Sequence, residues 1–333
     1  MRENSKLFAG VPVAIRTVSQ MGVPITVAEI VGTGPVPTRG MGLADKADIV
    51  VRRDAPEAGK LLTTELAKLL GYVDVLALKG VDSSSPTGEF FPSLAAARHS
   101  NRVVSRSVSP YISLPRRWEE YLHLRSRNFR EQLKKKRRVL HEAGRMQINR
   151  LEPEDDCAPW MAEVVSVDRR SWSARRGTNL YRHPAIRAFF LELVLEMANK
   201  GLIDLHLLRL DGKAIAYELC FNFEGRVFSY NRGFDADMGK LSPGMVLTAT
   251  VIEDACQRGR LEYDLLRGGE DYKFRWTHHY RRESEVIVLS GTLRSRIYAS
   301  LGLHLKRRLK SWSWIEKASD RATGLRSRLF YQG

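Results

Sequence analysis

Residues 230–276 read YNRGFDADMGKLSPGMVLTATVIEDACQRGRLEYDLLRGGEDYKFRW. The stretch opens as a strand and breaks at Leu241-Ser242-Pro243-Gly244. An amphipathic helix follows, predicted over Pro243–Arg258 and stopped by Gly259. A short apolar strand, Leu261–Leu265, carries Asp264 near its end, and Gly268-Gly269 leads into Tyr272-Lys273. A strand feeding a Ser-Pro-Gly helix start aims free backbone N–H groups at an anion. The same three residues also have a purely structural reading, with Ser as N-cap and Pro at the first helical position.

Working outward, three antiparallel strands are predicted just before this stretch and into it: Ile203–Leu210, Ala214–Asn222 and Arg226–Asn231. Asp211-Gly212 and Glu224-Gly225 mark the turns between them. Upstream lie helices over Pro184–Asn199 and Pro153–Arg170, a strand over Met146–Leu151, and one long helix from Arg117 to the glycine stop at Gly144. Earlier still, an extended run covers Arg102–Leu114. The first part reads as a strand at Ile25–Val31, a helix at Glu57–Leu70 and a strand at Val73–Leu78. Downstream come a short helix at Glu270–Trp276, a strand at Glu285–Leu289 and a basic C-terminal helix.

The chain has 333 residues, 43% hydrophobic and 28% charged, which is globular composition with room for more than one domain. No apolar run approaches the roughly 20 residues that span a bilayer, and the N-terminus lacks a convincing cleavage site. The expectation is a cytoplasmic protein with no transmembrane segment. Cys157, Cys220 and Cys256 show no metal-ligand spacing, and neither do His278 and His279, so no metal is expected. Gly32-Thr33-Gly34-Pro35 lacks the third glycine of a dinucleotide loop.

The net charge of +16 is local. Residues 116–150 hold twelve Lys/Arg against four Asp/Glu, and residues 291–333 hold ten against two. The remainder is balanced. Two basic segments therefore carry the whole excess, either as solvated helices or as contacts for a polyanion such as tRNA or anionic lipid at the inner face of a membrane.

The order from Met146 onward is strand, two helices, three antiparallel strands, helix, strand, helix, strand. It resembles the acetyltransferase fold of the GNAT superfamily. The resemblance is closest to the CelD-type branch found beside cellulose and exopolysaccharide genes. That branch shares a lead-in like Ser109-Pro110-Tyr111-Ile112-Ser113-Leu114-Pro115 with Trp118 and Tyr121, a basic helix, Leu210-Asp211-Gly212, Leu241-Ser242-Pro243-Gly244, Tyr263-Asp264-Leu265 and Gly268 before Tyr272-Lys273. It implies an α/β (α+β) fold with a mixed, mainly antiparallel sheet flanked by helices. It also implies a tandem whose first half is degenerate, as in the related Fem-type peptidyltransferases. The expected divisions are a mixed α/β part at 1–115, a basic connecting helix at 116–145, a GNAT-like domain at 146–290 and a basic amphipathic segment at 291–333.

The activity implied is transfer of an acyl group, most simply acetyl, from acyl-CoA as co-substrate to an amine or hydroxyl of a sugar, envelope or exopolysaccharide precursor. Leu241, Ser242, Gly244 and Met245 would face the donor phosphates, although Gly239–Gly244 only partly imitates the family's two-glycine loop. An aminoacyl-tRNA donor, as in Fem-type relatives, and a non-catalytic module on polysaccharide machinery or membrane are the alternatives. Attack on a thioester needs a neutral amine or an activated hydroxyl, which makes Asp264 and Glu218 candidate bases. Glu218 sits in an apolar strand, where a carboxylate is costly unless paired or working. Tyr272 and Lys273 are candidates for protonating the leaving thiolate and stabilising the oxyanion. Tyr230 and Arg232 are candidate acceptor contacts.

Overall fold

The computed structural model describes residues 2–3, 6–34, 42–82, 85, 87–88 and 102–303, and the chain forms two compact units. The first takes residues 1–33, 46–105 and 284–333; the second takes 34–45 and 106–283. The 116–145 segment, expected as a connector, therefore lies inside the second unit. Of the basic C-terminal segment expected at 291–333, residues 304–333 lie outside the described residues.

In the first unit, strand β1 (Val13–Gln20) turns back on β2 (Val23–Ile30) through Met21 and Gly22, with φ of 52° and 77°. Positive φ at both central residues matches the right-handed twist of a tight hairpin. The sequence reading missed β1 because it carries little periodic apolar signal. Helix α1 (Glu57–Lys68) precedes β3 (Val75–Asp82), which pairs in parallel with β2. Ile25, Val27, Val75, Ala77, Ile287 and Leu289 close a small core.

The second unit is a mainly antiparallel sheet covered by helices on both faces. Its strands run in the order β4 (Arg102–Ser113, from residue 106), β9 (Glu262–Asp264), β8 (Arg226–Phe234), β7 (Lys213–Phe223), β6 (Ile203–Leu210) and β5 (Met146–Arg150). Only β8 and β9 pair in parallel. Strand residues alternate in face, so Leu205, Leu207, Tyr217 and Leu219 pack under helices α4 (Cys157–Arg170) and α5 (Pro184–Ala198). Leu208, Cys220 and Val227 pack under α3 (Arg127–Ala143) and α6 (Pro243–Gln257). Glu218 thus shares a face with Cys220, toward α6.

The long helix expected from Arg117 is two helices, α2 (Trp118–His123) and α3. Ser126 makes the break, because its hydroxyl caps α3 by accepting from the Phe129 N–H at 3.2 Å. Strand β8 extends three residues beyond its expected end and is followed by Asp235, whose carboxylate accepts from Asp237 N–H at 3.1 Å. No helix among the described residues is long and apolar enough to cross a membrane.

Candidate active site

The parallel pairing of β8 with β9 lasts three residues, Arg226↔Glu262 to Phe228↔Asp264. Strand β8 then runs on to Phe234 while β9 ends at Asp264. Beside this unpaired stretch, at the start of α6, lies a cavity of about 340 Å³. Glu218 from β7, Arg232 and Gly233 from β8, Gly244, Met245 and Thr248 from α6, and Tyr272 with Arg275 line it, with aromatic walls from Phe129, Trp172 and Trp276.

Glu218 is buried and fully engaged. Its carboxylate accepts from Ser229 Oγ at 2.7 Å, Thr248 Oγ1 at 2.8 Å and the Tyr263 hydroxyl. Three hydroxyl donors answer the cost of burying a carboxylate. Burial and the adjacent Glu218 charge push the Tyr263 hydroxyl well above its ordinary value, so it remains a donor. Burial, then Glu218, likewise raise the Cys220 thiol. Arg232 lies opposite Glu218 in the β7–β8 register, but its direct partner is Tyr272. Its Nη2 donates to the Tyr272 hydroxyl at 2.9 Å, and its guanidinium carbon sits 4.8 Å from that ring's centroid. Burial works against the Arg232 charge, but Tyr272, Glu218 and Tyr263 outweigh it and hold the guanidinium above its ordinary value.

Two glycines make the shape possible. A Cβ on Gly233 would come within 2.7 Å of the Tyr217 ring, and one on Gly244 within 3.1 Å of Phe234. The start of α6 departs from a simple cap. Ser242 occupies the N-cap position in the left-handed region, φ 56°, and its side chain makes no cap hydrogen bond. Its carbonyl instead accepts from the N–H groups of Met245 at 3.1 Å and Val246 at 3.4 Å.

Of the residues singled out from sequence, Glu218, Arg232, Gly244, Met245 and Tyr272 meet at the cavity, while Leu241, Ser242, Tyr230, Asp264 and Lys273 are not among its lining. Asp264 is fully buried and tied to its own loop. It accepts from Leu266 N–H at 2.8 Å and Ser109 Oγ at 3.2 Å, with Arg281 at 3.5 Å. Lys273 is also buried, and donates to the carbonyls of Leu266 at 3.0 Å and Arg267 at 2.7 Å, with Glu270 at 3.2 Å. Burial lowers its pKa, against the pull of Glu270. Tyr230 packs on Phe190 and Phe221, and its hydroxyl donates to the Leu43 carbonyl at 2.8 Å. Sequence reasoning missed Thr248, Phe129, Trp172, Arg275 and Trp276. Thr248 was within reach, since it lies one helical turn after Gly244. Among the described residues no cluster of His, Cys, Asp or Glu is placed to hold a metal ion.

Several known proteins share this architecture. The protein described as L-PGS from Bacillus licheniformis is 10% identical, with a TM-score of 0.53 over 88% of this chain and 86% of its own. The C-terminal domain of a protein described as a lysylphosphatidylglycerol synthetase from Agrobacterium fabrum is 13% identical, with a TM-score of 0.55 over 86% of each chain. FemX is 10% identical, with a TM-score of 0.56 over 90% of this chain and 89% of its own. At these identities the likeness is one of fold. No curated protein matches the chain in sequence. Residues 127–274, which hold every lining residue of the cavity except Arg275 and Trp276 and every strand of the second unit's sheet described above except β4, match the family model described as an acetyltransferase (GNAT) domain.

Proposed function

We propose that the protein is an acyltransferase that moves an acyl group, most simply acetyl, from acyl-CoA to an amine or hydroxyl acceptor. A sugar, envelope or exopolysaccharide precursor is the acceptor class suggested by the CelD-like motifs. The activity would be cytoplasmic. The observation that carries the reading is the cavity where β8 and β9 part, with Tyr272, Arg232, Thr248 and Glu218 together at the start of α6. The acyl-CoA thioester would lie in this opening, with its phosphates toward the Gly244 end of α6.

The acceptor lone pair attacks the thioester carbonyl, the new N–C or O–C bond forms, and the C–S bond breaks. The departing thiolate takes the Tyr272 phenolic proton, and Arg232, 2.9 Å from that oxygen, stabilises the negative charge that develops there. The acceptor proton passes to Thr248 Oγ1 as the Thr248 proton passes to Glu218, 2.8 Å away. Asp264 and Lys273 act from behind, by fixing the 264–273 loop that presents Tyr272. Calorimetry with acetyl-CoA and CoA tests the donor: saturable binding is expected, and none at millimolar ligand overturns the reading.

An aminoacyl-tRNA donor is the second reading. The fold shared with FemX favours it, as does the position of the basic helix α3, whose Lys136 Nζ reaches the Lys240 carbonyl at 3.3 Å beside the start of α6. Binding of charged tRNA that falls steeply with salt would support it over acyl-CoA.

A further inference from the structure

Two guanidinium groups, those of Arg232 and Arg275, line the cavity. Arg232 is half-buried, and one of its guanidinium donor bonds goes to the Tyr272 hydroxyl. Among the described residues no carboxylate lies within salt-bridge distance of it. Glu218, its opposite number across the strands, turns its oxygens to the hydroxyls of Ser229, Thr248 and Tyr263. Arg275 adds a second guanidinium to the lining, also without an ion-pair partner among the described residues. A guanidinium carries five donors in a planar fork suited to a carboxylate or phosphate, so each of these side chains has donors left to offer a ligand. Next to these cations stand Phe129 and Trp276, packed edge to face with ring centroids 5.1 Å apart. The lining is therefore both cationic and aromatic.

We infer that the acceptor carries an anionic group, a carboxylate or a phosphate, which Arg232 and Arg275 bind while Phe129 and Trp276 cover its apolar part. This rests on the acyl-transfer reading for the word acceptor, but not for the anion site itself. The donor's phosphates are the competing source of the charge. They belong at the Gly244 end of α6, whereas Arg232 is engaged with Tyr272, at the reacting end.

Phenyl phosphate and benzyl alcohol, matched in ring and differing in charge, probe the site directly through the fluorescence of Trp172 and Trp276. The wild-type protein should bind phenyl phosphate at least about ten-fold more tightly than benzyl alcohol, the scale of a bidentate charged contact. Arg232→Gln and Arg275→Gln should each remove most of that preference. Equal affinity for the two probes in the wild type overturns the inference. So does a preference that survives in Arg275→Gln, the variant at an exposed position that tests the site if Arg232→Gln fails to fold. Calorimetry with CoA on the same variants separates the sources. Unchanged CoA affinity supports an acceptor anion, while a ten-fold loss assigns the cations to the donor and overturns it. If the wild type binds no CoA at all, the acyl-CoA reading fails, and the phenyl phosphate comparison still decides whether the anion site exists.

Discussion

At the scale of single residues, Tyr272 and Lys273 are neighbours with opposite duties. The Tyr272 hydroxyl faces the cavity and touches Arg232, and Lys273 turns inward to two carbonyls of its own loop. Tyr272→Phe should lower kcat by about 10²–10⁴, the usual worth of a positioned proton donor, with no change in melting temperature. Lys273→Met leaves the carbonyls of Leu266 and Arg267 without their donor. It should cost about 1–3 kcal/mol of stability in urea unfolding, with activity falling only as far as the loop is disordered. If Lys273→Met were fully stable and inactive, Lys273 would belong to the chemistry after all. The contrast also shows what a sequence displays and what it hides. Residue type and spacing marked Asp264 at the end of an apolar strand and Tyr272 and Lys273 after the glycine pair as candidates for chemistry. Which of them points into the opening depends on a turn at Leu266, φ 57°, held by the Asp264 carboxylate, and no periodicity encodes that. Glu218 was legible for a better reason: a carboxylate inside an apolar strand must be answered by partners, and here these are three hydroxyls.

At the scale of elements, α6 is the part whose two ends do different work. Its first two turns border the cavity through Gly244, Met245 and Thr248, and its last turns anchor it to the sheet. Arg258, just after the helix, donates to Asp204 of β6 at 2.8 Å and to Asp254 at 3.0 Å, and His206 Nε2 lies 3.7 Å from the Asp254 carboxylate. Burial opposes the Asp254 charge, but His206 and Arg258 outweigh it and hold the carboxyl at about 2, below its ordinary 3.8. A carboxyl lowered on folding stabilises the native state above its ordinary value, and that contribution fades as pH falls toward the folded one. Asp254→Asn should therefore cost about 2 kcal/mol near neutral pH. The gap to wild type should narrow between about pH 4 and pH 2, as read from urea unfolding across that range. A pH-independent gap would mean the loss comes from packing instead. Element order was largely legible, because hairpins, glycine stops and apolar periodicity are local. The break at Ser126 was not, since Leu122, Leu124 and the basic run around it continue a helical pattern through a residue that acts as a cap.

At the scale of the whole molecule, the +16 charge poses the remaining question of where a polyanion would touch. Helix α3 carries seven cations, but most have intramolecular partners. Arg127 pairs with Glu131, Arg137 with Glu253 and Arg138 with Glu142, while Arg130 donates to the carbonyls of Leu122 and Arg125, and Lys136 to that of Lys240. Lys134 and Lys135 stand exposed on its outer side. The 304–333 segment is different: it holds eight Lys/Arg against two Asp/Glu, interleaved with Leu305, Leu309, Trp312 and Trp314. Trp and Leu beside cations suit the interface of an anionic bilayer, where each cation near the surface adds roughly 1 kcal/mol and salt screens the attraction. The full chain should co-sediment with phosphatidylserine-containing vesicles at low salt and be released at about 0.5 M salt. Ending the chain at residue 303 should abolish that binding, and it spares Ile297, Tyr298 and Ala299, which pack on the first unit's core. Lys134→Glu with Lys135→Glu should weaken it only slightly. Were the pair of substitutions to abolish sedimentation and the truncation to leave it intact, the charged surface would be α3, beside the cavity, and a polyanionic donor such as tRNA would gain over a membrane as the reason for the charge.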